Sequence, residues 1–286
     1  MKRKIMTIVA GAAGLVLAYF VVSGISNIIY HHQVESTATQ EETESAEQGT
    51  EEAKAAMTED EINEMLADMK STETAETETA SEETAIIPVK FGELQSVNPD
   101  VYAWITVPGT EIDYPILQHP SDNSYYLMHN IDGSYGYPGC IYTENLNSKD
   151  FTDNNTVIYG HNMKNGSMFA QLHKFEYPDF FQENREVLIY LPDEVLHYTI
   201  FAAHIYDDRH LLYSFDFTDP EVYEKYLQSV FDTRDMSANI DKDMTVTKDD
   251  QIITLVTCIG SQPNNRLLVQ AILTDREPGT EAAAAE

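Results

Sequence analysis

The sequence predicts a mainly β domain whose strands close into a barrel, and three observations support this fold class. Short strand-like runs recur between residues 87 and 275, separated by the Pro, Gly, Asn and Asp residues that are typical of strand boundaries. Helical patterns interrupt these runs in only two places. About eight short strands with so few helices favour a closed antiparallel barrel over a layered α/β sheet.

The two predicted helices follow clear turn or capping signals. One covers residues 167–175 after a turn, and the other covers residues 219–231, where Asp219 is a suitable N-cap and Pro220 occupies the first helical position. Eight strands are predicted around them, at residues 103–107, 112–118, 139–143, 156–160, 186–191, 195–206, 251–257 and 267–274.

The N-terminus has the pattern of a membrane anchor. Three basic residues at positions 2–4 precede an uncharged, mostly apolar run over residues 5–30. As a helix rising about 1.5 Å per residue, this run is long enough to span the ~30 Å hydrocarbon layer of a membrane. It has no clear cleavage site, which favours an uncleaved transmembrane anchor. Because basic flanks stay in the cytoplasm, residues 1–4 are predicted to be cytoplasmic and the chain after Tyr30 extracellular.

The formal net charge of −31 is unevenly distributed along the chain. Residues 33–85 contain seventeen acidic residues and two lysines, a net charge of −15. Residues 31–86 are therefore predicted to form an acidic, low-complexity stalk that repels itself and stays extended. After residue 4 the chain has no cluster of Lys and Arg residues of the kind that phosphate backbones require, which argues against a nucleic-acid partner.

One stretch of the stalk has a helical pattern. Thr58 and Glu61 have the spacing of a capping box, and residues 58–70 place apolar side chains on one face, which predicts a transient helix or a small partner contact. The folded domain is expected over residues 87–275. The alanine-rich end, residues 276–286, is predicted to be a disordered tail.

Two cysteines, Cys140 and Cys258, leave several interpretations open. Outside the cytoplasm an even number of cysteines suggests a disulfide, and a free cysteine is most often a buried, inert thiol. Cys258, however, closes a predicted strand and precedes a loop rich in turn-forming residues, where functional residues concentrate. Arg266 opens the next strand, so a hairpin would bring its guanidinium beside the thiol to stabilise a thiolate or an oxyanion. A solvated loop arginine is the alternative.

His161 is a candidate proton donor. It ends the strand at residues 156–160 and is the only one of nine histidines in a Gly-His-Asn strand-exit setting. Because histidine titrates near neutral pH, it can hold a proton and return it to a leaving amine, although a lone histidine is more often a surface or core residue. No HExxH, paired CxxC or acidic calcium loop appears, so neither a metal site nor a cofactor is expected.

Several segments together resemble one enzyme family. Residues 159–169 (YGHNMKNGSMF) are similar to the histidine segment of sortases, particularly class B, and residues 254–258 (TLVTC) with Arg266 are similar to their TLxTC…R segment. Further class B-like stretches precede them in the expected order, at residues 98–105, 107–110, 112–115 and 122–127. The resemblance covers essentially the whole predicted domain, and an N-terminal anchor is also typical of the family.

The resemblance implies an eight-stranded sortase barrel with added helices, and transpeptidation on the surface of a Gram-positive bacterium. Cys258 would attack a backbone carbonyl in the C-terminal sorting signal of a secreted protein. His161 would protonate the departing amine, Arg266 would stabilise the oxyanion, and the thioester would pass to an amine on a peptidoglycan precursor or on another protein. Thr257 and Asn162 are implied substrate contacts.

Two positions depart from the family pattern. Val256 stands where many class B members have Ser, and Cys140 stands where relatives usually have another small residue. A Cys140–Cys258 disulfide would silence the implied nucleophile. Two other functions stay open, a non-catalytic surface module that binds a wall peptide and a thiol hydrolase that releases the acyl group to water. Within the family, polymerisation of pilins is a variant.

Overall fold

The structure of the chain is a computed structural model, and it describes residues 57–70 and 84–282. Within these residues ten strands form one sheet. In chain order they are β1 (Ala85–Ile87), β2 (Val101–Thr106), β3 (Asp113–Leu117), β4 (Ile141–Thr143), β5 (Asn155–Tyr159), β6 (Glu186–Tyr190), β7 (Glu194–Asp207), β8 (Asn239–Ile240), β9 (Ile252–Ile259) and β10 (Gln262–Glu281).

Eight of the strands close into a barrel, because β7 and β10 pair and complete the order β10-β9-β5-β4-β3-β2-β6-β7. These are the eight strands that the sequence predicts, so the closed barrel is confirmed; β1 and β8 are short additions. The expectation that all neighbours are antiparallel is wrong for β3–β4 and β5–β9, which are parallel. Parallel neighbours need a crossover connection instead of a hairpin, and here residues 118–140 and 160–251 provide it.

Helical segments surround the barrel. The predicted helix at 219–231 is present, whereas the one predicted at 167–175 is a tighter 3₁₀ segment, Phe169–Glu176. A second 3₁₀ turn covers Tyr125–Leu127. The α-helices are α1 (Glu59–Asp68), α2 (Phe91–Val97), α3 (Pro178–Glu183), α4 (Leu211–Ser214) and α5 (Pro220–Phe231).

α5 covers the outer face of β9 and β10. Its N-cap Asp219 accepts a hydrogen bond from the backbone nitrogen of Glu221 at 2.9 Å, and proline follows at the first position as predicted. Its buried stripe packs in one cluster with Val256 of β9 and Leu268 of β10, through Tyr223, Tyr226, Leu227 and Val230. Alternate residues of β9, Ile253 and Leu255, lie in the barrel interior instead.

α1 packs against the barrel, although the sequence places it in the stalk. The predicted capping box is present, because the Thr58 hydroxyl accepts from the Glu61 nitrogen and the Glu61 carboxylate accepts from the Thr58 nitrogen at 2.7 Å. Ile62 and Leu66 are buried in a cluster with residues of β2, β3 and β4. The folded unit therefore begins before residue 87, and burial of this apolar face fixes a helix that would be marginal alone.

A polar contact holds the end of α1 in place. Lys70, which follows α1, donates to both carboxylate oxygens of Asp113 at 2.6 Å. The same carboxylate accepts from the indole nitrogen of Trp104 at 2.8 Å and from the hydroxyl of Thr106 at 2.6 Å. The Asp113 side chain of β3 thus links the residue that follows α1 to the side chains of Trp104 and Thr106 in β2.

The C-terminus differs from the tail expected over residues 276–286. β10 continues to Glu281, where Gly279 lies opposite Ala85 of β1. The Arg276 guanidinium donates to Glu194 of β7 at 2.8 Å. Pairing with β7 up to Pro278 and with β1 from Gly279 onwards satisfies the backbone of a segment whose composition alone suggests disorder.

The predicted transmembrane span at residues 5–30 lies outside the described residues. Within residues 57–70 and 84–282, no helix is both long and apolar enough to cross a bilayer.

We predict that Leu66→Ala loosens α1. Removing a buried leucine costs about 2–5 kcal/mol at a well-packed site, and a ten-residue helix has little stability of its own. Hydrogen exchange of the α1 amides should therefore become faster, while the amides of β9 keep their protection.

Glu64→Ala is the matched control, because Glu64 is exposed on the same helix. Equal exchange rates in the two variants would show that α1 does not depend on the buried leucine.

Candidate active site

Cys258 is the penultimate residue of β9, and its side chain is exposed. Cys140 is also a free cysteine, but it is buried, and its Sγ donates to the backbone oxygen of His129 at 3.4 Å. Burial raises the pKa of the Cys140 thiol. The two cysteines form no disulfide, so the interpretation as a structural disulfide is wrong, and Cys258 is the accessible thiol of the pair.

Arg266 lies directly opposite Cys258 in the antiparallel pair of β9 and β10. The predicted hairpin therefore brings the guanidinium-bearing residue beside the thiol. Its Nη1 donates to the backbone oxygens of Pro263 at 2.8 Å and Asn265 at 2.9 Å. Within the described residues its Nη2 and Nε atoms make no hydrogen bond, so these donors stay available to another group.

His161 follows the end of β5, on the other side of Cys258. Tyr159 lies opposite Val256 in the parallel pair of β5 and β9, so the same register two residues later puts His161 beside Cys258. The His161 Nε2 lies 2.7 Å from the backbone oxygen of Leu127. Because a carbonyl can only accept, Nε2 carries a hydrogen, and Nδ1 is the nitrogen left for proton exchange.

Gly160 lets the side chains of Ile141 and Phe169 pack directly against the backbone at the end of β5. Its backbone nitrogen donates to the Val256 oxygen at 3.1 Å, which is the last contact of the β5–β9 pair before the turn. A Cβ atom at this position would lie 2.5 Å from Ile141 Cδ1 and 2.6 Å from Phe169 Cγ. The Phe169 nitrogen in turn donates to the His161 oxygen at 2.9 Å, which closes the loop.

Thr257 differs from the substrate contact that the resemblance implies. It is only 2% exposed, and its hydroxyl donates to the Gly160 oxygen at 2.9 Å. Its side chain lies on the opposite face of β9 from Cys258, since neighbours in a strand alternate. Thr257 thus joins β9 to the end of β5 on the face opposite the Cys258 side chain.

Asn162 and His173 both contact the backbone oxygen of Cys258. The Asn162 Nδ2 lies 2.9 Å from this oxygen and the His173 Nε2 lies 3.1 Å from it. On its other side, the His173 Nδ1 lies 2.9 Å from Glu176 Oε2. No sequence pattern singles out His173 as a functional residue. The i,i+3 spacing of His173 and Glu176 suggests an ion pair, but it does not predict the contact of His173 with Cys258, 85 positions away.

The segment over residues 206–217, to which no sequence pattern assigns a structure, contains α4. His210, directly before α4, places its Nε2 2.7 Å from Glu144 Oε1. Tyr159 is half-buried next to this pair, with its hydroxyl enclosed, and burial, assisted by the Glu144 carboxylate, raises the pKa of that hydroxyl. The pair holds α4 near the outer face of β5.

In chemical terms, His161, Cys258 and Arg266 place an imidazole, a thiol and a guanidinium in one row across the end of β5, β9 and β10. An exposed thiol between an imidazole and a guanidinium fits nucleophilic attack on a carbonyl better than it fits metal binding. Within residues 57–70 and 84–282, no group of three or more His, Cys, Asp or Glu side chains is arranged to hold a metal ion.

Comparisons with known proteins agree with this chemistry. A family model described as the sortase domain matches residues 105–274. Sortase B of Listeria monocytogenes is 36% identical over 188 residues, which make up 64% of this chain and 74% of that protein.

Solved structures give the same result. Sortase B of Clostridium perfringens has a TM-score of 0.59 and 33% identity, over 65% of this chain and 100% of that chain. A class B sortase of Streptococcus pyogenes that is involved in pilus biogenesis has a TM-score of 0.56 and 28% identity, over 65% of this chain and 98% of that chain.

We predict that Gly160→Ala destabilises the site. The added methyl would overlap the buried Phe169 ring, and forcing extra volume into a packed position typically costs about 1–3 kcal/mol. Urea denaturation should show a lower free energy of unfolding.

Gly260→Ala is the matched control, because a Cβ at Gly260, two residues after Cys258, meets no atom within 4 Å. A free energy of unfolding that falls equally in both variants would contradict the steric explanation.

Proposed function

Since the chain belongs to the sortase family, as a class B cysteine transpeptidase that anchors surface proteins, we propose that Cys258 is its nucleophile, His161 its proton carrier and Arg266 its oxyanion-binding residue. The support from geometry is one observation: the register of three adjacent strands puts these residues in one row on the outer face of the barrel. No other described cysteine is exposed.

In the first step the Cys258 thiolate attacks the carbonyl carbon of a peptide bond in the sorting signal. A C–S bond forms, and the carbonyl electron pair moves to oxygen as a tetrahedral oxyanion. The oxyanion accepts hydrogen bonds from the free donors of Arg266, which stabilise the developing charge. The hairpin that anchors Nη1 keeps these donors in place before the substrate arrives.

His161 moves the proton in both halves of the reaction. When the oxyanion collapses, the C–N bond breaks, and the departing amine takes a proton from His161. An acceptor amine then attacks the Cys258 thioester and gives a proton back to His161, and the thiolate leaves. The hydrogen bond from Nε2 to the Leu127 oxygen fixes the ring plane, so Nδ1 carries the exchanged proton.

We further propose that residues 5–30 tether the enzyme to the cell membrane, with the barrel outside, as the basic triplet and apolar run suggest. The substrate would be a secreted protein with a C-terminal sorting signal, and the acceptor an amine of a peptidoglycan precursor. Pilin polymerisation is the second candidate, because a structurally similar class B sortase of Streptococcus pyogenes is involved in pilus biogenesis.

Mass spectrometry of reaction products distinguishes these possibilities. The full chain would be incubated with a library of sorting-signal peptides and two acceptors, a short wall-type peptide amine and a lysine-bearing pilin-type peptide. Amide products on the wall-type amine support wall anchoring, and products on the lysine peptide support pilin polymerisation. Acids alone would indicate a hydrolase, and no cleavage of any peptide would contradict the proposed activity.

We predict that Cys258→Ala abolishes both cleavage and the acyl-enzyme, because no other exposed thiol is described to form the thioester. The readout is intact-protein mass after incubation with substrate. Cys140→Ala is the control and should keep activity, since the Cys140 thiol is buried. Turnover retained in Cys258→Ala would refute the nucleophile assignment.

We predict that Arg266→Lys lowers kcat by about 10²-fold or more, because a lysine keeps the charge but loses the planar donor fork. Steady-state kinetics on one peptide measure this effect. Arg276→Lys is a matched control: Arg276 lies ten residues further along β10 and pairs with Glu194, at the end of β7 away from Arg266. Unchanged kinetics in Arg266→Lys would reduce Arg266 to a structural residue.

A further inference from the structure

We propose that His173, supported by Glu176 and acting together with Asn162, is a positioning residue for the nucleophile, because it fixes the backbone carbonyl of Cys258. This inference rests on the proposed role of Cys258. It also changes the role of Asn162, which the sequence suggested as a substrate contact.

The Cys258 carbonyl lies just beyond the end of β5, where β9 no longer has a backbone partner on that side. In that ladder the Val256 oxygen accepts from the Gly160 nitrogen at 3.1 Å. In a parallel pair the next carbonyl on the same edge belongs to Cys258, and the backbone nitrogen of residue 162 would normally satisfy it. Because the chain turns after His161, two side-chain nitrogens contact this carbonyl instead, Asn162 Nδ2 at 2.9 Å and His173 Nε2 at 3.1 Å.

The hydrogen atoms can be arranged consistently in two ways. With neutral His173, its Nδ1 donates to Glu176. Asn162 Nδ2 then donates one hydrogen to the Cys258 oxygen and the other to His173 Nε2, which lies 3.0 Å from Asn162 Nδ2. With protonated His173, Nε2 donates to the Cys258 oxygen as well, so that oxygen accepts two hydrogen bonds. The Cys258 carbonyl is held by Asn162, which His173 orients, in the first arrangement, and by both side chains directly in the second.

The supporting group is rigid. His173 and Glu176 both lie on the 3₁₀ segment Phe169–Glu176, which is anchored in the barrel core by the buried side chains of Phe169, Leu172 and Phe175. The Glu176 carboxylate orients the imidazole through Nδ1, so Nε2 is directed at the carbonyl.

The pairing of β9 with β10 becomes irregular just beyond Cys258. Cys258 is the last residue before the register shift between Gln262 and Arg266 of β10. Without the Asn162 and His173 side chains, the peptide that follows Cys258 would be held by the hairpin alone, and the Sγ position relative to His161 would be less defined. A misplacement of about 1 Å is enough to slow a reaction by about 10²-fold.

The test compares His173→Ala with His173→Gln in the full chain. Glutamine places an amide nitrogen near the position of Nε2, so it keeps a donor for the Cys258 oxygen, whereas alanine removes it. We expect His173→Ala to lower kcat by about tenfold or more with KM changed by less than about threefold, and His173→Gln to recover most of the loss. His197→Ala is the matched control, because His197 also pairs with glutamates but lies nine residues before Tyr206, the β7 residue opposite Arg266.

A second readout needs no sorting-signal peptide. The rate at which iodoacetamide labels Cys258, followed by mass spectrometry, reports the thiol itself and stays informative even if the proposed transpeptidase activity fails. We expect this rate to change in His173→Ala and to return towards the wild-type value in His173→Gln. A wild-type kcat and labelling rate in His173→Ala, or equal losses in the alanine and glutamine variants, would overturn the proposal.

Asn162→Ala removes the Asn162 hydrogen bond to the Cys258 oxygen. This variant tests the shared positioning role even if His173→Ala does not fold. It should reproduce the loss of kcat without a matching rise in KM. Unchanged kcat, or a loss confined to KM, would return Asn162 to its role as a substrate contact and overturn the shared positioning role.

Discussion

The parallel pairing of β5 with β9 is the contact on which the active site depends. It joins Asn155–Tyr159 to Ile252–Val256, two segments that are far apart in sequence. Polar side chains reinforce it at both ends: Thr254 donates to Asn155 at 2.8 Å, and Thr257 donates to Gly160 at 2.9 Å. Because a slip of one residue would turn Cys258 into the barrel and Thr257 outwards, the buried alternation of β9 fixes the register and with it the site.

The remaining strands convert this pairing into a preorganised site. Closure of the barrel by β7 and β10 gives β10 a partner on each side, so Arg266 is held between Cys258 of β9 and Tyr206 of β7. The loop before it fixes one end of the guanidinium, and the Leu127 carbonyl fixes the imidazole of His161. Substrate binding then requires little rearrangement of the charged groups, which is the general advantage of a preorganised polar site.

The sequence predicts the barrel well because its strands are short, regular and bounded by turn residues. It also predicts that Cys258 and Arg266 meet, since a hairpin relates residues that are close in the chain. Three features of the structure are not predicted from the sequence. The parallel neighbours β3–β4 and β5–β9 depend on long crossovers, and the docking of α1 depends on an apolar face, with Leu66 at its centre, that local patterns cannot match to a distant surface. The contact of His173 is not predicted for the same reason, because its partner Cys258 is 85 residues away.

The length of β10 separates Cys258 and Arg266 from the edge at which β1 joins the barrel. The strand carries Arg266 near its start and meets β1, the first strand, at Gly279. These positions are thirteen residues apart on one strand, which corresponds to at most about 43 Å at the rise of an extended chain. The Cys258 thiol therefore lies at the opposite end of β10 from β1. Substitutions where β1 meets β10 are expected to alter the stability of the barrel edge and to leave the surroundings of Cys258 unchanged, so this edge can vary in sequence independently of the chemistry.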